Sequence, residues 1–173
     1  LLDFKSETPK SQFKLSDNMV TRVEYLTKGN ILAIGDKYMS FINVKSKNVK
    51  NFSYGKKLFK FYDFNKDHGI CCCLSSSVNE TDDDELVNIN TRGTETFRTK
   101  TSESFTELSN RENRTLGLTK NKIISYDRAG HAEGYIKTQN NSKKIILVPH
   151  SYAYILNCNT IDKLKINHLE KMN

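Results

Sequence analysis

The sequence predicts an all-β fold of repeated four-stranded antiparallel sheets, and three observations carry that expectation. Apolar runs of strand length end in polar turns at nearly constant spacing, at Tyr38 to Val44, Leu86 to Thr91, Lys122 to Asp127 and Tyr152 to Cys158, which is the pattern of a repeat. The breaks between runs carry Gly, Asn and Asp, residues that accept positive φ or hydrogen-bond their own backbone. No segment holds apolar residues at helical spacing beyond about two turns, so little helix is expected.

Residues 1–18 are polar, mixed in charge and interrupted by Pro9. They read as a tail or as a leading strand around Phe13 to Leu15, with the repeats expected over 19–173. The first unit is the fullest. Val20 to Leu26 alternates, Lys28-Gly29-Asn30 turns, and Ile31 to Ile34 runs back to a tight turn at Gly35-Asp36-Lys37. Tyr38 to Val44 and Val49 to Phe52 complete it, and Gly55-Lys56-Lys57 closes it. The second unit opens with the aromatic run Leu58 to Phe64, turns over Asn65 to Gly69 and continues through Ile70 to Leu74. A polar, acidic stretch over 75–85 reads as a solvated loop insertion, before Leu86 to Thr91 and Glu95 to Thr99 end the unit. The third has Ser104 to Leu108, Thr115 to Leu118, Lys122 to Asp127 and Gly134 to Thr138. The fourth has Lys143 to Val148, a turn at Pro149-His150-Ser151, then Tyr152 to Cys158 and Ile161 to Ile166. Proline at a strand end removes a donor where the loss is tolerated.

Four strands in about 35 residues is the size of one propeller blade, and the chain resembles the WD40-like β-propeller proteins. The blade pattern of Val20 to Phe52 carries the resemblance. So do the turn residues after the third apolar run of each unit: Asn43-Val44-Lys45, Asn90-Thr91-Arg92, Tyr126-Asp127-Arg128 and Asn157-Cys158-Asn159. The family's Trp-Asp pair is missing, because the chain has no Trp; Tyr126-Asp127 stands where that pair would be. The resemblance implies about four blades of an incomplete propeller, out of a ring of roughly six to eight. The remaining blades are expected in the same parent chain or from a partner. A chain that starts at Leu1 is read accordingly as a piece of something longer.

Composition narrows the function classes. Of 173 residues 36% are hydrophobic and 27% charged, the polar end of globular chains, and no apolar run approaches the roughly 20 residues a spanning helix requires. Cys71, Cys72 and Cys73 are consecutive inside an apolar run, where alternate strand residues face opposite ways and cannot cross-link one another. The expectation is a reducing intracellular home, nuclear or cytoplasmic. Asn-x-Ser/Thr patterns at Asn51, Asn79, Asn113 and Asn140 are no more than an Asn-, Ser- and Thr-rich chain produces by chance. His68 beside the three cysteines lacks the well-separated ligand pairs of a zinc site, so small side chains packed between sheets are expected instead. His131-Ala132-Glu133 begins a zinc-deaminase pattern whose Pro-Cys-x-x-Cys half is absent. No phosphate-binding Gly-rich loop or nucleophile elbow occurs. The reading is of a non-enzyme without metal or cofactor.

Charge is the remaining clue. The formal net charge is +7, with a pI near 9.2. The candidate partner-binding residues are the basic turn Lys45 and Lys47, the cluster Lys56, Lys57 and Lys60, and the acidic loop Asp82, Asp83 and Asp84. The preferred reading is an interaction scaffold, a propeller subunit of a multiprotein assembly, because stacked blades are a rigid platform for variable loops. The alternative is a basic RNA- or DNA-binding module of a ribonucleoprotein or chromatin complex, since Lys57 to Tyr62 interleaves lysines with aromatics that can stack on bases.

Overall fold

The computed structural model describes residues 2–3, 6–9, 12–15, 17–76, 84–111, 114–139, 142–167 and 169–171. A short antiparallel pair, β1 (Leu2–Asp3) with β2 (Ser6–Pro9), precedes the repeats. Residues 12–15, where a leading strand was expected, are irregular. Four antiparallel sheets follow, each a simple up-and-down meander. Sheet I holds β3 (Val20–Leu26), β4 (Asn30–Gly35), β5 (Tyr38–Asn43) and β6 (Asn48–Ser53). Sheet II holds β7 (Lys57–Asn65), β8 (Gly69–Ser76), β9 (Asp84–Ile89) and β10 (Glu95–Thr101). Sheet III holds β11 (Glu107–Arg111), β12 (Arg114–Leu118), β13 (Lys122–Tyr126) and β14 (Ala132–Lys137). Sheet IV holds β15 (Lys144–Val148), β16 (Tyr152–Leu156) and β17 (Ile161–Lys165), three strands among the described residues. The only helical element among them is one short 3-10 turn, Thr27–Gly29, and no helix is long and apolar enough to cross a membrane.

The sheets stack face to face in chain order, with a separate apolar core in each gap. Leu26, Leu32, Ile34, Met39 and Phe41 of sheet I meet Ile70, Cys72, Leu74, Val87 and Ile89 of sheet II. Cys71, Cys73, Leu86 and Phe97 of sheet II meet Phe105, Leu108, Ile124 and Tyr126 at sheet III. Leu116, Leu118 and Ile123 meet Ile145, Leu147, Ala153 and Ile155 of sheet IV. Strand alternation decides which residue serves which core: in β8, Ile70, Cys72 and Leu74 point to sheet I while Cys71 and Cys73 point to sheet III. All five are 0% exposed. The cysteines are the small side chains between sheets that the sequence called for.

The first strands of sheets II, III and IV are neighbours, β7 beside β11 and β11 beside β15, which is the arrangement of blades around an axis. A side chain two residues before the end of each first strand ties it to the next sheet. Glu24 accepts from the Tyr62 hydroxyl at 3.5 Å, Asp63 accepts the Asn110 N–H at 2.5 Å, and Ser109 Oγ accepts the Leu147 N–H at 2.9 Å. The corresponding residue of β15 is Ile146, which is 51% exposed.

The turns also repeat. Asn43 Oδ1 accepts the Ser46 N–H, Asn90 Oδ1 accepts those of Arg92 and Thr94, and Asp127 Oδ1 accepts those of Ala129 and His131. An Asn or Asp side chain that accepts from its own turn's backbone holds that turn closed. The fourth such turn is a correction: Asn157 joins β16 to β17, so it follows the second strand of its sheet and not the third. The glycine of each of the middle two turns packs on an aromatic ring of the preceding sheet, Gly93 on Phe41 and Gly130 on Phe97. At Gly130, where φ is +84, an added Cβ would lie 2.6 Å from the ring. Gly130→Ala is therefore expected to cost about 2–3 kcal/mol from crowding plus the strain of a left-handed alanine. Gly29→Ala, with φ +74 but open space around it, should cost only the backbone strain of about 1 kcal/mol. Urea denaturation of the two variants checks this, and equal losses would remove the steric contribution.

Candidate functional site

The sequence-selected residues fall at opposite ends of the molecule. Because every sheet is an up-and-down meander, the turns after the first and third strands collect at one end and those after the second and fourth at the other. Lys45 and Lys47 are exposed in the β5–β6 turn at the first end, Lys47 with a left-handed φ of 57°. Lys56 is exposed in the β6–β7 turn at the second. Asp82 and Asp83 lie outside the described residues. The insertion expected over 75–85 is shorter than its polarity suggests, since Ser75 and Ser76 extend β8 while Asp84 and Glu85 open β9.

Three of the selected charges are engaged with other parts of sheet II. Lys60 is the extra residue of a β-bulge between Phe59 and Phe61, and its Nζ reaches Asp84 Oδ2 at 3.0 Å. Lys57 Nζ reaches Glu85 Oε1 at 3.0 Å, and Arg98 from β10 closes on the other oxygen of Glu85. Burial opposes ionisation of Asp84 and Glu85, but hydrogen bonds from Lys60 and Ser75 to the first, and from Lys57 and Arg98 to the second, outweigh it. Both carboxyls are held below their ordinary values. Aromatics interleaved with these lysines are occupied as well: Phe59, Tyr62 and Phe64 pack against the core between sheets I and II, and Phe61 against the next one. The combination that suggested base stacking is used to build the fold.

Burial pushes the titratable groups between the sheets toward their neutral forms. Desolvation raises Cys71 and Cys72 well above the usual thiol value and pushes Cys73 up to about 12, with Asp84 adding to the last. A thiol that stays protonated is neither a nucleophile nor a metal ligand at neutral pH. Burial likewise raises Asp63, against the opposing hydrogen bonds from the Asn110 and Phe64 amides. Among the described residues no group of His, Cys, Asp and Glu is arranged to hold a metal ion.

Two features that sequence reading missed stand out. The outer face of sheet IV carries Ile146 (51% exposed), Tyr154 (38%), Leu156 (43%) and Ile161 (69%) in register with one another, flanked by exposed Lys144, Lys163 and Lys165. Strand alternation in Lys144 to Val148 and Tyr152 to Leu156 was the signal that one face stays open once the other is buried. At the far end of the stack, the outer face of sheet I exposes Val23 and Tyr25 on β3, while Ala33, Ser40 and Ile42 on its inner strands are buried. The second feature is a groove between sheets III and IV lined by Arg111, Arg114, Arg128 and His150.

Residues 7–166 match the model of a family described as a family of unknown function, DUF5711. The chain belongs to that family. No curated protein matches this chain. Solved structures of similar fold include the computationally designed Ika4 protein, at 9% identity and a TM-score of 0.60 over 87% of this chain and 93% of that one. The WD40 domain of Neurospora crassa Pan2 matches at 11% identity and a TM-score of 0.58, over 86% of this chain and 48% of that chain. BBS1N, solved in complex with ARL6DN, matches at 11% identity and a TM-score of 0.58, over 89% of this chain and 54% of that chain. The DUF5711 chain thus spans about half of these two natural propellers, and the likeness is one of fold.

The ion pairs of sheet II give a direct test of what the basic cluster does. Lys57→Glu sets a like charge against Glu85 and should lower stability by about 1–2 kcal/mol, while Lys56→Glu should change it by less than about 0.5 kcal/mol. Because Asp84 and Glu85 are depressed from ordinary values of 3.8 and 4.5, their stabilisation is complete above that range and is lost as pH falls through the lowered values. Glu85→Gln should flatten the acid limb of a Tm-against-pH profile below about pH 5.

Proposed function

We propose that this DUF5711 chain is a non-enzymatic protein-interaction scaffold, a propeller-type subunit of a multiprotein assembly in a reducing compartment, nucleus or cytoplasm. The observation that carries the reading is the uncovered face of sheet IV. In sheets I, II and III the face turned toward the next sheet is buried, and the side chain two residues before the end of the first strand bonds across the gap. On sheet IV the same face presents Ile146 at that position within a contiguous apolar strip. Exposed apolar area of this kind, rimmed by charge, is the character of a protein contact.

The occupant is a further β-sheet with an apolar centre and an acidic rim, from the same parent chain or from a partner protein. The sheet follows from the packing geometry that every earlier sheet of the stack accepts, and the acidic rim complements Lys163 and Lys165, since Lys144 already faces Glu107 at 3.7 Å. BBS1N, a protein of similar fold, forms a complex with ARL6DN. The free cysteines, three buried and one exposed at Cys158, fit a reducing home.

The test is retention of partners from the source organism after nuclease treatment, compared between the native chain and Ile146→Asp/Ile161→Asp. Loss of stoichiometric, nuclease-resistant proteins by the variant, with Tm within a few degrees of the native chain, is expected. Equal retention would remove sheet IV as the contact, and dependence of all partners on nucleic acid would overturn the scaffold reading.

A further inference from the structure

The groove between sheets III and IV has a charge balance that its own residues do not close. Its volume is about 430 Å³, in the range of ligand sites. Arg111 ends β11, Arg114 begins β12, Arg128 lies in the turn after β13, and His150 in the turn after β15. Up-and-down topology brings all four to the same end of the molecule. Two carboxylates share the lining, and both are already occupied. Glu133 accepts from Arg114 Nε at 2.9 Å and from the Ser125 hydroxyl at 2.7 Å. Asp127 accepts the Ala129 and His131 N–H groups, each at 2.8 Å, and faces the His131 ring at 3.2 Å. Arg111 and Arg128 have no carboxylate partner among the described residues.

A second observation points the same way. Arg111 Nε is buried and has no hydrogen-bond partner, and a buried donor left unpaired is unusual enough to call for a missing acceptor. The wall opposite is held by His150 and Ser151, non-glycine residues with φ of 68° and 60°, a conformation that the surrounding fold must impose. Half-buried Val148 adds an apolar strip beside them.

We propose that this groove binds a phosphorylated serine or threonine side chain on a segment of a protein partner. Arg111 and Arg128 leave the lining with a net positive charge even with Asp127 and Glu133 included, and a phosphomonoester of charge about −1.5 to −2 offers three strong acceptor oxygens to both guanidiniums. Planar guanidinium forks also suit tetrahedral phosphate oxygens in a paired, directional way. The groove opens to solvent between its arginines and Val148, which places the phosphate on the guanidiniums and a flanking residue on Val148. This assignment rests on the scaffold reading, and it locates a contact separate from the open face of sheet IV.

The experiment is fluorescence anisotropy with a labelled peptide pool carrying a central phosphoserine and degenerate flanks, against the same pool with unmodified serine. The phosphorylated pool should bind at least tenfold more tightly, and Arg111→Gln/Arg128→Gln should erase the difference. Because Arg111 is half-buried, the exposed Arg128→Glu alone serves as a variant that leaves the core untouched; it should weaken phosphopeptide binding at least fivefold with Tm unchanged. Equal binding of the two pools, or binding indifferent to Arg128→Glu, would overturn the proposal. Displacement by inorganic phosphate at the concentration needed for the phosphopeptide would also overturn it, in favour of a free anion. Preferential displacement by a single-stranded DNA 15-mer would overturn it in favour of nucleic acid. If the arginine variants keep all the partners retained by the native chain, the scaffold reading stands and this site falls alone.

Discussion

Each sheet of this protein is held in place by the sheet that covers it. A lone antiparallel sheet of three or four short strands is marginal in water, and here the apolar residues divide between two faces, so neither face alone is a core. The dependence is sharpest in β8, where Ile70 to Leu74 is buried on both sides by alternation alone. Burying one aliphatic side chain such as Ile70 or Leu74 contributes about 1.5–3 kcal/mol. Cysteine is small enough for closely spaced sheets and apolar enough to be buried without a partner.

That constraint also sorts the chemistry. Groups in the gaps are desolvated: the Cys71, Cys72 and Cys73 thiols stay protonated, the Asp63 carboxyl is pushed above its ordinary value, and their role is cohesion. Charge is admitted only where a strand neighbour neutralises it, as Lys57 and Arg98 do for Glu85. Freedom to vary is left to the turns at the two ends and to the outer faces of the first and last sheets. An interaction platform built this way gains rigidity from its interior and specificity from its margins.

Much of this architecture was legible in the residues, for physical reasons. Strand runs separated by Gly, Asn and Asp leave a period that no helix shares, and the opposite facing of Cys71 and Cys72 follows from strand geometry. The turn at Asn157 was misplaced because apolar runs do not say which strand of a sheet they form, and sheet IV has three described strands where its predecessors have four. Asp84 and Glu85 looked like part of a solvated acidic loop because their partners, Lys60, Lys57 and Arg98, come from other strands. The arginine groove was illegible for the same reason. Arg111, Arg128 and His150 are far apart in sequence, and only the common direction of successive meanders brings their turns to one end.

The central claim is that the sheets form one mutually covered stack, and thiol labelling tests it most directly. Under native conditions exposed Cys158 should react with iodoacetamide at the rate of a free thiol. Cys71, Cys72 and Cys73 should react only as fast as the whole chain unfolds, with urea accelerating labelling and global unfolding in parallel. Native-state labelling of the three at a rate near that of Cys158, or labelling of Cys71 and Cys73 long before Cys72, would contradict the account, because it would show that one sheet can leave another uncovered without the fold being lost.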